Sequence, residues 1–596
     1  MQSSPSTGLR RYLPEIGTPA YHLMLAVVAI CILGPLGGIS AAFMNFSIGF
    51  FVGGQVLAGI LGSAVTLPYG PEGKHGANYM QTMAASVAGM CGMAVLIQAR
   101  HWLGLPELPA WQLAIFYGCI GMFGGGIGML YTPVLVDRMH LNFPSGYAVA
   151  NILRALTDPK LLRQSIAKLG GGMAIGYAVG LSTFKVAALS ATGLSASTVG
   201  AGMIVGARIA IPALVVALIG IFTTPYLVEI GWLAEGEPFR KIGFIIALGT
   251  ILGAALIDIT LILWEAWQRF RAKESVNPEP KEDWKRVNFW RLVLWVAFWG
   301  AAVVLAGHFI MGEPLRYLLI AIGLCFLFVL VNGISLGISD WNPISSAFVL
   351  TVFILAAAGL TSPGTGLMCA SILLIACSVG GDMQQDRSTG WRLGTNRVIQ
   401  FRYQMIGIIF GAIFAVGLAQ VFLRAYPVLK LDQFGGEVAG AQQWQSAMTY
   451  KFVGALRGIT ESQPHVMKAL WLGLAIGLAT EIIRKLVKRN ARYKAFSQAS
   501  ATGKTTDFVF DAVVMPSPYA SSFGGFVEIV TVLWWTAGGI GGSLFNVWAA
   551  KRQPADGKEA LPADMSTMSL SGGGLIAGDS LAALSVGVYG LLQTVF

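Results

Sequence analysis

The sequence contains little charge for its length. Only 12% of the 596 residues are Asp, Glu, Lys or Arg, about half of the roughly 25% typical of soluble domains, and the mean hydropathy is +0.66. This composition excludes a string of soluble domains and predicts a polytopic integral membrane protein surrounded by lipid. The formal net charge of +11 comes from Lys and Arg that fall between apolar segments, as cytoplasmic loops require. We therefore expect no nucleic-acid partner.

Sequence motifs for metal, redox and nucleotide chemistry are also missing. The six Cys all lie inside apolar runs without a CxxC pair, and the six His are scattered without metal-ligand spacing. The GGGIG run at 124–128 lies within an apolar segment rather than at a strand-to-helix turn, and there is no P-loop. No HExxH motif and no Ser–His or Cys–His pairing is visible. We therefore expect no metal, no cofactor and no enzymatic activity.

Long apolar runs dominate the chain instead. A membrane-spanning helix needs about 20 apolar residues, and about fifteen runs approach this length. They lie near 22–44, 46–67, 78–99, 111–133, 168–192, 197–224, 241–264, 289–311, 316–338, 342–361, 364–381, 402–425, 466–483, 520–545 and 572–596. Shorter stretches at 143–156 and 508–519 predict re-entrant segments or one further span. The predicted fold class is all-α, with about 15–16 transmembrane helices.

A charged, proline-bearing linker at 271–288 divides the chain into an N-terminal transmembrane half, 1–270, and a C-terminal half, 289–596. Two arginines precede the first apolar run, and the loop at 484–504 is strongly basic. Because positive charge accumulates on the cytoplasmic side, the N-terminus, the linker and the basic loops are predicted to be cytoplasmic. The expected location is the inner membrane of the cell.

The two halves contain similar short segments in the same order. FPSGYAVANIL at 143–153 resembles MPSPYASSFGG at 515–525, and NYMQT at 78–82 resembles DMQQD at 382–386. Proline stops a helix and frees backbone groups, which a membrane tolerates only where protein or a wet cavity satisfies them. Paired broken segments of this kind are typical of the substrate site of a secondary transporter.

Several polar side chains are therefore candidates for binding substrate. Tyr147 and Tyr519 lie in the proline-led segments, so their hydroxyls are predicted to hydrogen-bond the ligand. Lys185 and Arg208 lie in apolar runs and would neutralise substrate carboxylates, together with the N-termini of broken helices. For both residues, and for Lys185 in particular, the alternative is an interfacial position in which the charged group reaches water.

Three acidic residues in apolar runs are candidates for proton coupling, because a charge at mid-membrane is costly and usually functional. Glu528 follows the PSPYA break and is the preferred proton carrier. Asp258 would bind a proton or cation, or alternatively pair with Lys185 or Arg208. Asp579 would act similarly, or cap the start of its helix.

A polar, glycine-rich stretch, SVGGDMQQDRSTGWRLGTN at 378–396, directly follows an apolar run. It is predicted to form the end of a half-helix followed by a cytoplasmic loop. Asp382 and Gln385 are candidates for a transport role, and Asp386 and Arg387 for a gate pair. The alternative is an ordinary solvated loop whose positive charges only keep it on the cytoplasmic side.

With its flank, this stretch resembles a signature of the oligopeptide transporter family, in its bacterial and yellow-stripe-like branch. VGAGMIVGARIA at 199–210, FPSGYAVANIL and SGGGLIAGDSLAAL at 571–584 are similar to further family segments. The NPGPFxxKEH segment of the peptide branch is missing, which argues against close kinship with fungal and plant peptide carriers. The signature positions that match are Asp382, Met383, Gln384, Asp386, Thr389, Gly390 and Gly407.

The resemblance implies a secondary transporter that moves small oligopeptides or amino-acid-like metal chelates with protons. It also makes a homodimer conceivable, which no residue pattern by itself indicates. A channel is the first alternative and an intramembrane enzyme the second. Internally paired broken helices favour alternating access over a channel.

Overall fold

The structure is a computed structural model that describes residues 12–47, 54–141, 143–157, 159–271, 282–339, 342–433, 444, 446–461, 464–552 and 567–595. Every regular element in these residues is helical. Nine helical segments in the described ranges are long and apolar enough to cross a membrane. The prediction of an all-α polytopic membrane protein is therefore confirmed.

The helices of the N-terminal half differ widely in length. They are α1 (Pro19–Val28), α2 (Gly34–Ser47), α3 (Gly54–Thr66), α4 (Gly73–Cys91), α5 (Val95–Trp102), α6 (Ala110–Thr132), α7 (Pro144–Thr157), α8 (Pro159–Lys185), α9 (Ala187–Ala191), α10 (Ala196–Val205), α11 (Ala207–Glu229) and α12 (Arg240–Arg271). Short π-helical turns at Ala29–Leu33 and Pro133–Arg138 extend α1 and α6.

The C-terminal half shows the same mixture of long and short helices. They are α13 (Phe289–Leu305), α14 (Leu315–Ser339), α15 (Ile344–Ala357), α16 (Pro363–Leu393), α17 (Arg397–Ala425), α18 (Ala447–Glu461), α19 (Pro464–Arg489), α20 (Ala491–Ala499), α21 (Ala501–Val509), α22 (Pro518–Ser521), α23 (Phe523–Phe526), α24 (Ile529–Arg552) and α25 (Thr567–Val595). A π-helical turn at Phe510–Val514 precedes the predicted break before α22.

One expected span, 197–224, is wrong as a single helix. Gly206 has φ +81° and ends α10 after ten residues. Contacts with α24 show that the chain reverses there. Val199 lies against Gly538 and Met203 against Gly542, so α10 runs parallel to α24. Helix α11 is antiparallel to α24, because the backbone N–H of Ala207 donates to the Ser543 hydroxyl and the Thr536 hydroxyl donates to the carbonyl of Ala210. A glycine adopts this φ without steric cost, which is why apolarity alone did not reveal the hairpin.

Helices from the two halves pack closely through glycines. A Cβ atom placed on Gly473 of α19 would lie 2.0 Å from the carbonyl oxygen of Ile246 in α12, and one on Gly477 would lie 2.0 Å from that of Thr250. Helices α8 and α25 approach in the same way. Because lipid supplies no hydrophobic drive between helices, close backbone contact of this kind is how membrane helices gain packing energy.

The two ends of the bundle can be distinguished by their contacts. The Tyr69 hydroxyl donates to the carbonyl of Pro14 at 2.8 Å, and the Lys285 ammonium lies 5.9 Å from the Trp391 ring. Nδ1 of His75, at the start of α4 just after Tyr69, lies 3.1 Å from the hydroxyl of Thr395, which follows α16. The N-terminal segment, the end of the linker and the end of α16 therefore share one end, here called the linker end. Trp102 of α5 and Ala425 of α17 close their helices at the opposite end, called the far end.

Candidate functional site: a buried polar cluster

The polar stretch at 378–396 is helical almost to its end. Helix α16 begins at the cap residue Ser362 and continues to Leu393, where Gly394 with φ +71° terminates it. Asn396 then caps α17 by accepting from the backbone N–H groups of Val398 and Ile399. The prediction of a half-helix followed by a loop is therefore wrong.

The reason is burial among other polar helices. Five polar side chains within six residues of α16 are completely inaccessible to solvent: Gln384, Asp386, Arg387, Ser388 and Thr389. A segment this polar can remain helical inside the bundle only because its neighbours supply hydrogen-bond partners. The composition of the segment alone cannot show those partners.

Helix α4 supplies the first of them. Gln81 donates from Nε2 to Oδ1 of Asp386 at 2.9 Å. Gln400 of α17 donates from Nε2 to the Thr82 hydroxyl and to the backbone carbonyl of Asp386, both at 2.9 Å. Three helices therefore meet in one polar cluster, defined here as Asn78, Gln81, Thr82, Asp386, Arg387 and Gln400.

Several atoms of this cluster have unused hydrogen-bonding capacity. Among the described residues, Oδ2 of Asp386 and Nε and Nη2 of Arg387 have no hydrogen-bond partner, and neither do Oε1 of Gln81 and Oε1 of Gln400. An unsatisfied buried polar atom costs about 1–3 kcal/mol. Such atoms mark a place where a polar ligand, an ion or water would be bound favourably.

The cluster is held by contacts on the linker side. Arg387 donates from Nη1 to the carbonyl of Arg397 at 2.7 Å. Arg397 forms a two-point ion pair with Asp137, with 2.7 Å between Nη1 and Oδ2. Thr389 donates to the carbonyl of Gly146 at 2.9 Å, which ties the proline-led start of α7 to α16. These contacts fix the guanidinium of Arg387 relative to α7 and α17.

Three predicted site residues lie around this cluster. A Cβ atom on Gly89 of α4 would lie 2.8 Å from Oδ2 of Asp382, so that carboxylate faces α4. Gln385 is buried beside Gly146 of α7. The Tyr147 ring lies 4.7 Å from the guanidinium carbon of Arg392, in a cation–π contact. The structure therefore brings Asp382, Gln385 and Tyr147 to the contact of α4, α7 and α16.

The other predicted substrate-binding residues lie elsewhere. Tyr519 is buried in α22. Arg208 forms ion pairs with Asp511 at 2.8 Å and Asp507 at 3.2 Å, so its charge is already compensated. Lys185 is the last residue of α8 and is exposed, in agreement with its alternative interfacial position. Their roles in substrate binding stay predictions.

The three predicted proton carriers have diverse surroundings. Glu528 pairs with Arg240 at 2.8 Å and is 46% exposed. Asp579 accepts from the Ser195 hydroxyl at 3.1 Å and from the backbone N–H of Ser197 at 2.8 Å, so it caps α10 rather than its own helix. The side chain of Asp258 lies outside the described residues. Their roles in proton coupling stay predictions.

Sequence reasoning did not assign roles to Gln81, Gln400 or the Asp137–Arg397 pair. One signal pointed to Gln81, namely the similarity of NYMQT at 78–82 to DMQQD at 382–386. In the structure these two segments lie against each other, joined by the bond between Gln81 and Asp386. No local pattern marks Asp137, because it lies in a π-helical turn at the end of an ordinary apolar helix.

Membrane-length helices around a buried carboxylate and guanidinium, with proline-led short helices beside them, define a membrane transport protein. Residues 23–588 match the family described as OPT oligopeptide transporter protein. The chain belongs to this family, which confirms the resemblance and makes the protein a transporter rather than an enzyme.

One relative is a Haemophilus influenzae protein described as "Putative oligopeptide transporter". It is 22% identical over 457 residues, which cover 64% of this chain and 70% of that protein. The assignment to the yellow-stripe-like branch stays a prediction.

Proposed function

We propose that the protein is a secondary active transporter that imports small oligopeptides, or amino-acid-like metal chelates, by proton symport across the inner membrane. Family membership and the name of the Haemophilus relative support a peptide substrate. The observation that carries the proposal is the polar cluster, where a buried carboxylate and a buried guanidinium both have atoms without a hydrogen-bond partner among the described residues.

The chemistry of the cluster suits a zwitterionic ligand. Peptides and amino-acid chelates carry at least one carboxylate and one amine. Nε and Nη2 of Arg387 form a fork that matches a carboxylate, and such charge-assisted pairs are the stronger hydrogen bonds. Oδ2 of Asp386 would accept from the amine or hold the coupling proton. Arg387 thus takes the role that the sequence suggested for Arg208 and Lys185.

The surroundings of the cluster support alternating access. Helix α7 begins at a proline and contacts α16 through the bond between Thr389 and Gly146. Inside a membrane, freed backbone groups at such a break are tolerated next to protein or a wet cavity. Movement of α7 relative to α16 would open the cluster to one side of the membrane at a time.

The proposed orientation is supported by the basic residues around the linker. Lys285, Arg392 and Arg397 all lie at the linker end, near the N-terminal segment. We propose that this end is cytoplasmic, because positive residues accumulate on that side. A homodimer is retained as a proposal from the family alone.

Uptake into proteoliposomes tests the function. Labelled di- to tetrapeptides and an iron or nickel chelate would be supplied with and without an inward proton gradient. Gradient-dependent accumulation of one class is expected and would choose between peptide and chelate. Passive equilibration alone, or single-channel currents beyond carrier turnover, would favour a channel instead.

Two variants then locate the proton. Asp386→Asn is expected to abolish gradient-driven accumulation while preserving exchange of labelled for unlabelled substrate, because the amide keeps the shape but holds no proton. Glu528→Gln is the comparison, since Glu528 is half-exposed and paired. Loss of coupling in Glu528→Gln, with normal coupling in Asp386→Asn, would move the proton role to Glu528.

A further inference from the structure

A pocket lies at the far end of the bundle, away from the polar cluster. It is formed where α5 ends, α6 begins and α17 ends. Four basic side chains line it, those of Arg100, His101, Arg424 and Lys430, against one carboxylate, that of Glu107. The lining described by the structure therefore carries an excess of positive charge that the transport mechanism does not use.

Arg100 is the buried member of this group. Its side chain donates from Nη2 to the carbonyl of Pro106 at 2.7 Å and from Nη1 to the sulfur of Met368 at 3.5 Å. Its Nε has no partner among the described residues, although the residue is only 8% exposed. Glu313 interacts with Arg100 electrostatically but does not form an ion pair with it in the described part of the chain. A buried guanidinium with an unfilled donor therefore lies at the pocket wall.

Of the two exposed cations, Lys430 lies in a turn whose backbone is bonded to α5. Trp102 donates from Nε1 to the carbonyl of Leu429 at 2.9 Å, and Gln98 donates to the same oxygen at 3.0 Å. These bonds fix the 3₁₀ turn Pro427–Lys430 against α5. Lys430 is thus anchored beside the pocket, and neither it nor Arg424 has an ion-pair partner within the described ranges.

Glu107 neutralises little of this charge. Its carboxylate lies 3.8 Å from Nε2 of His101 and is 78% exposed, so water screens it strongly. The remaining charges on Arg100, Arg424 and Lys430 therefore point to an anionic ligand.

Apart from the amide of Gln420, the rest of the pocket wall is apolar. It consists of branched aliphatic side chains, namely Ile97, Leu105, Leu108, Leu113 and Leu423. A small inorganic anion would leave this surface unused. We propose that the pocket binds an amphiphilic anion, in which a carboxylate or phosphate is attached to an apolar group. The anion contacts Arg100, Arg424 and Lys430, and the apolar group packs on the leucines.

Such a ligand has two sources, a soluble carboxylate or an anionic lipid headgroup. The soluble arm uses calorimetric titration of the purified full-length protein with N-acetyl-leucine, and with the neutral N-acetyl-leucinamide as the matched probe. The acid is expected to bind and the amide is not. Arg424→Gln and Lys430→Gln are each expected to weaken binding about tenfold, since each removes one charge-assisted contact. Arg492→Gln, an exposed substitution on α20, is the control and should bind like the unaltered protein.

The lipid arm uses native mass spectrometry after reconstitution with phosphatidylglycerol or phosphatidylcholine. If the protein retains phosphatidylglycerol, and Arg424→Gln and Lys430→Gln retain less of it while Arg492→Gln does not, the pocket is assigned to lipid. Binding of N-acetyl-leucine with the same variant pattern assigns it to a soluble anion. If neither probe distinguishes the pocket variants from Arg492→Gln, the proposal is overturned. Both variants keep Arg100 intact, so the buried wall of the pocket is undisturbed.

Discussion

At the scale of single residues, the central contact joins Gln81 and Asp386, which are 305 positions apart in the chain. Each lies in a helix, and each is fully buried. Gln81 satisfies one oxygen of the carboxylate, and the other has no partner in the part of the chain that the structure describes. The amide thus orients Asp386 without neutralising it, which suits a group that must bind and release a proton or an amine.

Replacing Gln81 tests this positioning role. Gln81→Leu leaves Oδ1 of Asp386 without its donor, and loss of a hydrogen bond to a buried charged group costs about 1.5–3 kcal/mol. Transport is therefore expected to fall roughly 10- to 100-fold. Ser86→Ala is the control on the same helix, because among the described residues the Ser86 hydroxyl bonds only the backbone carbonyl of Thr82. Initial uptake rates, normalised to folded protein, would measure both; equal rates would exclude the role.

The ion pair between Arg397 and Asp137 is a second prediction at this scale. Arg397 is buried, whereas Asp137 is 27% exposed at its side chain. Breaking a fully buried pair costs about 3–5 kcal/mol, so Asp137→Ala is expected to cost somewhat less, about 2–3 kcal/mol. The double variant Asp137→Ala with Arg397→Met should recover part of this loss, because no buried charge is left unpaired. Thermal unfolding in detergent measures the free energies of unfolding. A double variant that is less stable than Asp137→Ala would contradict the explanation.

At the scale of helices, close packing depends on glycines with a neighbouring backbone directly over them. Gly477 of α19 faces the carbonyl of Thr250 in α12, whereas no atom of the described residues lies within 4 Å of a Cβ position on Gly417 of α17. The two residues are both helical glycines, and they differ in what covers them. At Gly477, an alanine would favour the helix but collide with the backbone of α12. At Gly417, an alanine would favour the helix without such a collision.

Matched alanine substitutions separate these effects. Gly477→Ala should lower the unfolding temperature by several degrees, since α12 and α19 must move apart to accommodate the methyl group. Gly417→Ala should leave it unchanged or raise it, because alanine stabilises a helix by roughly 0.5–1 kcal/mol relative to glycine. Scanning fluorimetry of the purified proteins gives both temperatures. Equal shifts in the two variants would show that the close approach of α12 and α19 is not required.

At the scale of the whole molecule, a charged network joins the two halves of the chain. Arg208 at the start of α11 pairs with Asp507 and Asp511, and Lys488 at the end of α19 pairs with the same two carboxylates. These elements belong to opposite sides of the linker. The network therefore holds a hairpin of the first half against helices of the second.

This network makes stability depend on pH. Burial by itself raises the pKa of Asp507, but hydrogen bonds from Lys488 and Tyr493 and the charges of Lys488 and Arg208 outweigh it and lower that pKa below 3.8. A lowered folded-state pKa gives stability that is present above the unfolded pKa and is lost as pH falls through the folded pKa. Stability should therefore drop below about pH 4, and less steeply in Asp507→Asn. Unfolding temperatures between pH 3 and 6 would check this; identical slopes would rule out the contribution.

The sequence by itself determined the class of the protein and its family. Low charge and apolar runs of about 20 residues indicate a lipid environment, because a helix of that length spans the hydrocarbon core and satisfies its own backbone hydrogen bonds there. The motifs around 382–390, 199–210 and 571–584 were enough to predict the family across the chain. The proline-led starts of α7 and α22 also followed directly from the sequence, because proline has a local effect.

The tertiary structure alone decided which polar residues are buried and what they contact. The segment from 378 to Leu393 reads as a loop by its polarity, yet it is helical because α4 and α17 provide its hydrogen bonds. The sequence offered Asp258 as a partner for Arg208 and the start of its own helix as the segment that Asp579 caps, yet Arg208 pairs with Asp511 and Asp579 caps α10. Burial and pairing depend on residues hundreds of positions away, whereas composition and periodicity report only on neighbours along the chain.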